Sequence, residues 1–368
     1  MYKTLFGYFA LSIYFLVLAV AVTEGPLISF QSIILGFIGL IALIIIASEL
    51  AKVIHLVDIP DSKRKKHKGQ IPLIGGIVLF ISFIYGAIVF GVDSFYRSII
   101  FSLAPIVIIG TIDGMKGFKV PNSYRIVAQI LASWIVIIST DVYIENLGNL
   151  FGIGDIHLNK FGIPFTIFCV VGACNAFNML DGKDGLAGGV SIVLFASLML
   201  ILYLNNIIFN WGLILILSLL VYLAFNLSLF GHKRKIFLGD HGSTGLGHIV
   251  AWNLIYLSQE TELITPVSAL YFAAVPIIDA LLTISRRLRS SQPVFNADNR
   301  HFHHILSNWG YSDFIILLII NFMAAIAGLL AVASNYFKFY EYNLFFGFLT
   351  MFVSLVILGR VQTKNDKK

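Results

Sequence analysis

The chain is predicted to be an all-α, polytopic integral membrane protein of about twelve transmembrane helices. Three observations predict this. Of its 368 residues, 58% are hydrophobic and only 12% are charged, about half the charge of an ordinary soluble domain. Apolar runs of about 17–24 residues recur along the whole length, each long enough to cross a hydrocarbon core about 30 Å thick. Lys and Arg fall almost entirely on one side when these runs are counted as alternating crossings.

The runs lie at 5–22, 28–50, 71–91, 98–112, 124–140, 164–178, 188–204, 207–229, 243–258, 266–285, 314–334 and 342–360. The first could pass for a secretory leader. It is too long, is preceded by a single Lys3, and has no small-residue cleavage site before Thr23-Glu24-Gly25-Pro26, so it is read as a helix. Residues 1–27 are then an extra N-terminal transmembrane helix on one integral membrane domain spanning 1–368. With the N-terminus in the cytoplasm, every one of the 25 Lys and Arg except Arg97, Lys160 and Lys338 lies in a cytoplasmic loop, terminus or adjoining helix end. A wrong span count would scramble that partition, and both termini come out cytoplasmic. The net charge of +6 is thus an orientation signal first and an attraction for anionic lipid or phosphate second. Short basic loops at a bilayer are a poor nucleic-acid surface, and no nucleic-acid partner is expected. Cys169 and Cys174 share one apolar stretch, which leaves neither a disulfide framework nor a thiolate metal site. Monomer and homodimer both stay open.

Five polar loops fall on the same side. The basic loop Lys63 to Lys68 is followed by Ile71-Pro72-Leu73-Ile74-Gly75-Gly76. Positive-inside topology explains the charge run by itself. Glycines opening a span let a ligand approach the backbone, and helix N-termini attract anions, so Lys66, His67 and Lys68 are candidates for a phosphate subsite. Asp113 closes the run at 98–112, a weak signal alone.

The segment Asn175 to Gly189 is stronger. Asn178, Asp181 and Asp184 are spaced by three, which would align them on a continuing helix; the glycines argue for a break there. Two carboxylates and an amide suit a hard cation, Mg²⁺ or Mn²⁺, shared with substrate phosphates. The bland alternative is an interhelical polar network, but ionisable groups at span ends are rare and costly. Asn226 ends another span. Asp240 and Ser243 then open one, at a position suited to metal plus phosphate. A Gly-Asp at a span end also fits intramembrane aspartyl proteases, which gain nothing from a histidine cluster. The last loop carries Arg300, His301, His303 and His304. Zn²⁺ would want a fuller ligand set; imidazoles beside arginines suit phosphate oxygens better.

These segments resemble the polyprenyl-phosphate N-acetylhexosamine-1-phosphate transferases. The resemblance runs from about Leu56 to His304 and more loosely onward. It rests on Leu56-Val57-Asp58 with Ile71 to Gly76, on Asn175 to Gly189, on Lys235 to Asp240 with Gly242-Ser243-Thr244, and on Asp298 to Leu306, in the family's order. The His-x-His-His loop and the lead-in at Phe225 to Gly231 resemble the N-acetylglucosamine-1-phosphate branch rather than the peptidoglycan-precursor translocases.

The resemblance implies transfer of a sugar 1-phosphate from a UDP-N-acetylhexosamine to undecaprenyl phosphate, with release of UMP. That reaction would begin a surface polysaccharide, such as O-antigen or enterobacterial common antigen, at the cytoplasmic face of a bacterial inner membrane. It implies Asp240, Asp181 and Asp184 as metal ligands, with Asp113, Asp181 and Asp184 catalytic. It places Asn178, Asn226, Arg300, His301, His303 and His304 on nucleotide, diphosphate or sugar, and Lys66, His67 and Lys68 on the lipid phosphate. Two features depart from the pattern. Gly114 and Gly117 stand where further carboxylates are usual, and the span at 5–22 is extra; restoring a carboxylate at position 114 is expected to be tolerated. The competing readings are a proton-coupled transporter and an inactive scaffold homologue.

Overall fold

A computed structural model describes residues 30–60, 69–91, 93–289 and 301–365. The extra helix expected within 1–27 lies outside these residues, as do Lys66, His67, Lys68 and Arg300.

Each expected run from 28–50 onward becomes helix: α1 Phe30–Val53, α2 Gly75–Phe90, α3 Ser94–Gly114, α4 Asn122–Thr140, α5 Gly162–Leu180, α6 Leu186–Leu204, α7 Asn210–Asn226, α8 Asp240–Gln259, α9 Pro266–Phe272, α10 Ala274–Arg289, the short α11 Phe302–Asn308, α12 Asp313–Tyr336 and α13 Glu341–Asn365. Local signals set several starts. Asp93 accepts from the Tyr96 amide at 2.8 Å to cap α3, and Thr265 with Pro266 caps α9, as N-cap and N1 preferences require. Between the named strands, the described residues hold one two-residue antiparallel pair, β1 Val57–Asp58 with β2 Ile71–Pro72, in register Val57 to Pro72. It closes the base of the basic loop.

Six of the described helices are long and apolar enough to cross a membrane, seven if α9 and α10 form one broken span; α2, α7 and α13 include shorter apolar stretches. The run at 266–285 was expected as one continuous crossing. It is instead two arms bent by 84°. Pro276 explains the break: it offers no amide hydrogen and its ring clashes with the carbonyl four residues back, at Phe272.

α8 sits at the centre, against α2, α3 and α5, and is buried almost throughout from His241 to Leu257. Two of its polar side chains are met by α3: His248 Nε2 lies 2.8 Å from Ser102 Oγ, and Asn253 Oδ1 accepts from Tyr96 Oη at 3.0 Å. Outer helices reverse the pattern of a soluble protein. On α4, Ala128, Ala132, Ser133 and Val136 are buried while Val127, Leu131, Trp134 and Ile138 are exposed, which is the face a lipid solvent would cover. Close approach at one end of the bundle is set by paired glycines. A Cβ on Gly76 would lie 2.4 Å from Gly242 Cα, and one on Gly242 would lie 2.8 Å from Gly76 Cα. At the opposite end, the connection between α4 and α5 is tied down by Gln259, whose Oε1 accepts from the Glu145 and Asn146 amides at 2.9 and 3.0 Å.

Candidate active site

The polar ends of α3, α4, α5, α6, α7 and α8 converge. Arg125, in the first turn of α4, forms ion pairs with both Asp113 at the end of α3 and Asp240 at the start of α8. Asp113 also accepts from the Val120 amide at 2.8 Å. A cation in the first turn of a helix opposes the helix dipole, whereas Asp240 at a helix N-terminus is favoured by it. Two carboxylates reverse the balance for Arg125. Sequence reasoning missed this residue; a positive charge at the wrong end of a span was the signal available.

Asn178, in the last turn of α5, donates to Ser243 Oγ at 2.9 Å. Asp181 follows it as the C-cap. Asp184 pairs with Lys235, and Lys183 pairs with Asp313 at the start of α12, so the Asp181–Asp184 turn is pulled from two sides. The break expected there is real: α5 ends at Leu180, and Gly185 takes a φ of 78° ahead of α6, a conformation that favours glycine. Asn226 holds that turn. Its Oδ1 accepts from the Gly185 amide at 2.7 Å and its Nδ2 donates to Ile236 O at 2.9 Å. It is buried with its amide oxygen and nitrogen both hydrogen-bonded to backbone, so Asn226 helps to build the turn.

Asp181 is the odd member. Among the described residues its carboxylate has neither an ion-pair partner nor a hydrogen-bond donor. Burial, followed by the charges of Asp240 and Asp184, pushes its carboxyl well above the ordinary carboxylate range. The set Asp181, Asp184 and Asp240 therefore shares one electrostatic neighbourhood. Among the described residues no three His, Cys, Asp or Glu side chains close in as a ligand cluster; Lys235 and Arg125 pair with Asp184 and Asp240. The chemistry of the set still fits a hard divalent cation: the donors are oxygens, and Asp181 lacks the positive charge its surroundings call for.

The histidines reach the site from α11. His303 is 1% exposed, and neither ring nitrogen has a partner among the described residues. Its ring lies against Gly182, where an added Cβ would fall 2.2 Å from Nε2. Burial, reinforced by His304, lowers its pKa to about 3, so it is neutral. His301 stacks on His303, with centroids 5.7 Å apart and rings 7° from parallel, and His304 packs on His303 at 4.2 Å.

The sequence matches known proteins over the same residues. The description "Glycosyl transferase family 4" matches residues 96–258. The undecaprenyl-phosphate alpha-N-acetylglucosaminyl 1-phosphate transferase of Escherichia coli (strain K12) is 34% identical over 300 residues, 80% of this chain and 80% of that protein. The chain belongs to glycosyl transferase family 4. Proteins of the same name from Salmonella typhimurium and Haemophilus influenzae are 34% identical over 303 residues and 33% identical over 326 residues, the latter covering 87% of this chain and 91% of the relative. The family match at 96–258 contains Asp113, Arg125, Asn178, Asp181, Asp184 and Asp240, and stops short of Asp279 and the histidines.

Proposed function

We propose that this protein is a phosphoglycosyltransferase that moves N-acetylhexosamine 1-phosphate, most simply N-acetylglucosamine 1-phosphate, from its UDP-sugar to undecaprenyl phosphate. UMP leaves, and undecaprenyl-diphospho-N-acetylhexosamine forms, the opening step of a surface polysaccharide. The observation that carries the reading is the one-third identity to proteins named for this reaction over four-fifths of the chain. The gathering of Asp113, Arg125, Asp240 and the Asp181–Asp184 turn supplies the matching chemistry. Nothing among the described residues favours the transporter or scaffold readings.

The attacking group is an oxygen of the lipid phosphate and the electrophile is the sugar-linked phosphorus of the nucleotide. Such transfers need positioning and charge stabilisation more than covalent help from the protein. Asp113 would stand beside the lipid phosphate, with Arg125 able to turn its guanidinium from carboxylate to phosphate oxygens, both of which it can grip bidentately. Asn178 and Ser243 would meet the nucleotide side. His301, His303 and His304 would border the diphosphate and sugar, with Arg300, and Lys66, His67 and Lys68 of the basic loop would hold the lipid head group. Asp181, Asp184 and Asp240 would hold Mg²⁺ or Mn²⁺. When bound, that ion would offset diphosphate charge and the charge developing on the leaving UMP.

The same reading takes the chain as one membrane domain crossing a bacterial inner membrane about twelve times, with both termini and the site on the cytoplasmic side. The test is a transfer assay with purified protein, undecaprenyl phosphate and a panel of radiolabelled UDP-sugars. Label should enter the lipid from a UDP-N-acetylhexosamine only, and should stop with chelator. No transfer from any N-acetylhexosamine would end the proposal.

A further inference from the structure

The bend between α9 and α10 delivers one buried acid to the histidine loop. Asp279 lies one turn into α10 and is 4% exposed. Its two carboxylate oxygens have separate tasks. Oδ1 accepts from the Phe302 amide at 2.7 Å, at the first residue of α11. Oδ2 lies 2.9 Å from His301 Nδ1. Thr283, one turn further along α10, brings Oγ1 to 3.3 Å from the same nitrogen and accepts from Arg286 Nη2 at 3.2 Å. No other buried acid of α10 faces the histidines, and neither Asp279 nor Thr283 stands in the acidic loops.

We propose that Asp279 is a positioning residue for the transfer reaction: it fixes the proton of His301 on Nδ1 and locks the ring, so that Nε2 is the nitrogen offered to the substrate. A carboxylate only accepts hydrogen bonds, so an ionised Asp279 at 2.9 Å requires a proton on Nδ1. Had Nδ1 been unprotonated, its lone pair would face the carboxylate. An outer carboxylate that sets the tautomer of a working histidine is a general device. Losing it by a carboxylate-to-amide change can preserve the geometry and still cost several orders of magnitude in turnover. Because His301 is parallel to His303, and His303 touches the Asp181–Asp184 turn, the lock also holds the stack against the acidic loop.

This inference rests on the transferase reading, so the experiment has one arm that needs no activity. Full-length protein carrying ¹⁵N-labelled histidine is reconstituted in nanodiscs, and the His301 ring signals are assigned by their loss in His301→Gln. The parent should show neutral His301 carrying its ring proton on Nδ1. Asp279→Asn keeps an oxygen for the Phe302 amide and turns its NH₂ toward Nδ1, so the signals should move to the Nε2-protonated form. In the transfer assay, Asp279→Asn should lose about 10²-fold or more in kcat with little change in KM for undecaprenyl phosphate. The double variant Asp279→Asn with His301→Gln should be no slower than His301→Gln alone. An Nε2-protonated parent would overturn the proposal. So would losses that add in the double variant, since they would mean that Asp279 acts only as a helix cap. If Asp279→Asn fails to fold, the parent spectrum still decides. If no UDP-sugar is turned over, the tautomer result stands and the transferase reading is what falls.

Discussion

Gly182→Ala puts a single methyl group between the acidic turn and the histidine stack. The Cβ would fall 2.2 Å from His303 Nε2 and 2.5 Å from Cε1, whereas ordinary contact begins at 3.4 Å. The ring must therefore retreat by about 1.2 Å, the difference between 3.4 and 2.2 Å. Gly182 does not sit in the left-handed region, so the backbone tolerates alanine and the collision is the whole effect. His303 has somewhere to go: a largely apolar cavity of about 70 Å³ lined by His303, Phe302, Leu180, Ile278 and Met323 lies beside it. The cost in stability should fall at the low end of overpacking, about 1 kcal/mol. Turnover should suffer far more, since a misplacement of about 1 Å in a positioned group is worth about 10²-fold. The assay is label transfer from UDP-N-acetylglucosamine in nanodiscs, alongside thermal unfolding of the same samples. Gly182→Ala should unfold within a few degrees of the parent and turn over about a hundredfold more slowly. In a His303→Ala background the methyl group should cost little more. Parent-like turnover in Gly182→Ala would refute the claim that His303 works where the structure puts it.

Five further outcomes are expected. Single cysteines placed at 51–70, 113–122, 175–187, 231–242 and 286–312 in a Cys-free variant should resist an impermeant thiol reagent in intact cells; labelling of any one loop from outside would break the common-face topology. Asp181 has its carboxyl raised by burial and by Asp240 and Asp184, so its contribution to stability is present at low pH and is lost as pH rises through the raised value. Asp181→Asn should accordingly melt higher than the parent at neutral pH without divalent ions, lose the Mg²⁺-dependent rise in Tm, and lose transfer by at least about 10²-fold. His303 is held neutral with its pKa lowered to about 3, against about 6.5 when unfolded. The unfolded chain thus takes up the extra proton, and stability should fall between about pH 6.5 and pH 3, by at most about 1.4 kcal/mol per pH unit; His303→Gln should flatten that part of the Tm profile. Asp113→Ala should slow transfer by at least about 10²-fold. Gly114→Asp should leave Tm close to that of the parent, as the sequence reading expects, because a Cβ there meets only the flexible ends of Leu56 at 2.9 Å and Leu73 at 3.4 Å.

The sequence by itself determined where most of the chain turns helical and which acids stand at the ends of its apolar runs. Apolar run length is a one-dimensional property, so the long helices follow it closely, while the bend between α9 and α10 and the short α11 do not. An acid such as Asp113, Asp181 or Asp240 at the end of such a run stands out against its neighbours. The glycines after Leu180 announced the break that frees the Asp181–Asp184 turn, and Pro276 could have announced the bend that the hydropathy of 266–285 hides. Only the tertiary structure decided which charges meet. Arg125 and Asp240 are 115 residues apart in sequence, and their pairing depends on how α4 packs beside α3 and α8. That Asn226 bridges Gly185 and Ile236 is visible only once α7 packs beside that turn. Asp279 reads like one more residue of an apolar run until the bend at Ala273 carries it to His301. Hydrophobic length is written locally and needs no partner, whereas a hydrogen bond or ion pair exists only once two distant helices share a surface, and such bonds hold Asp113, Asp184, Asp240 and His301 here.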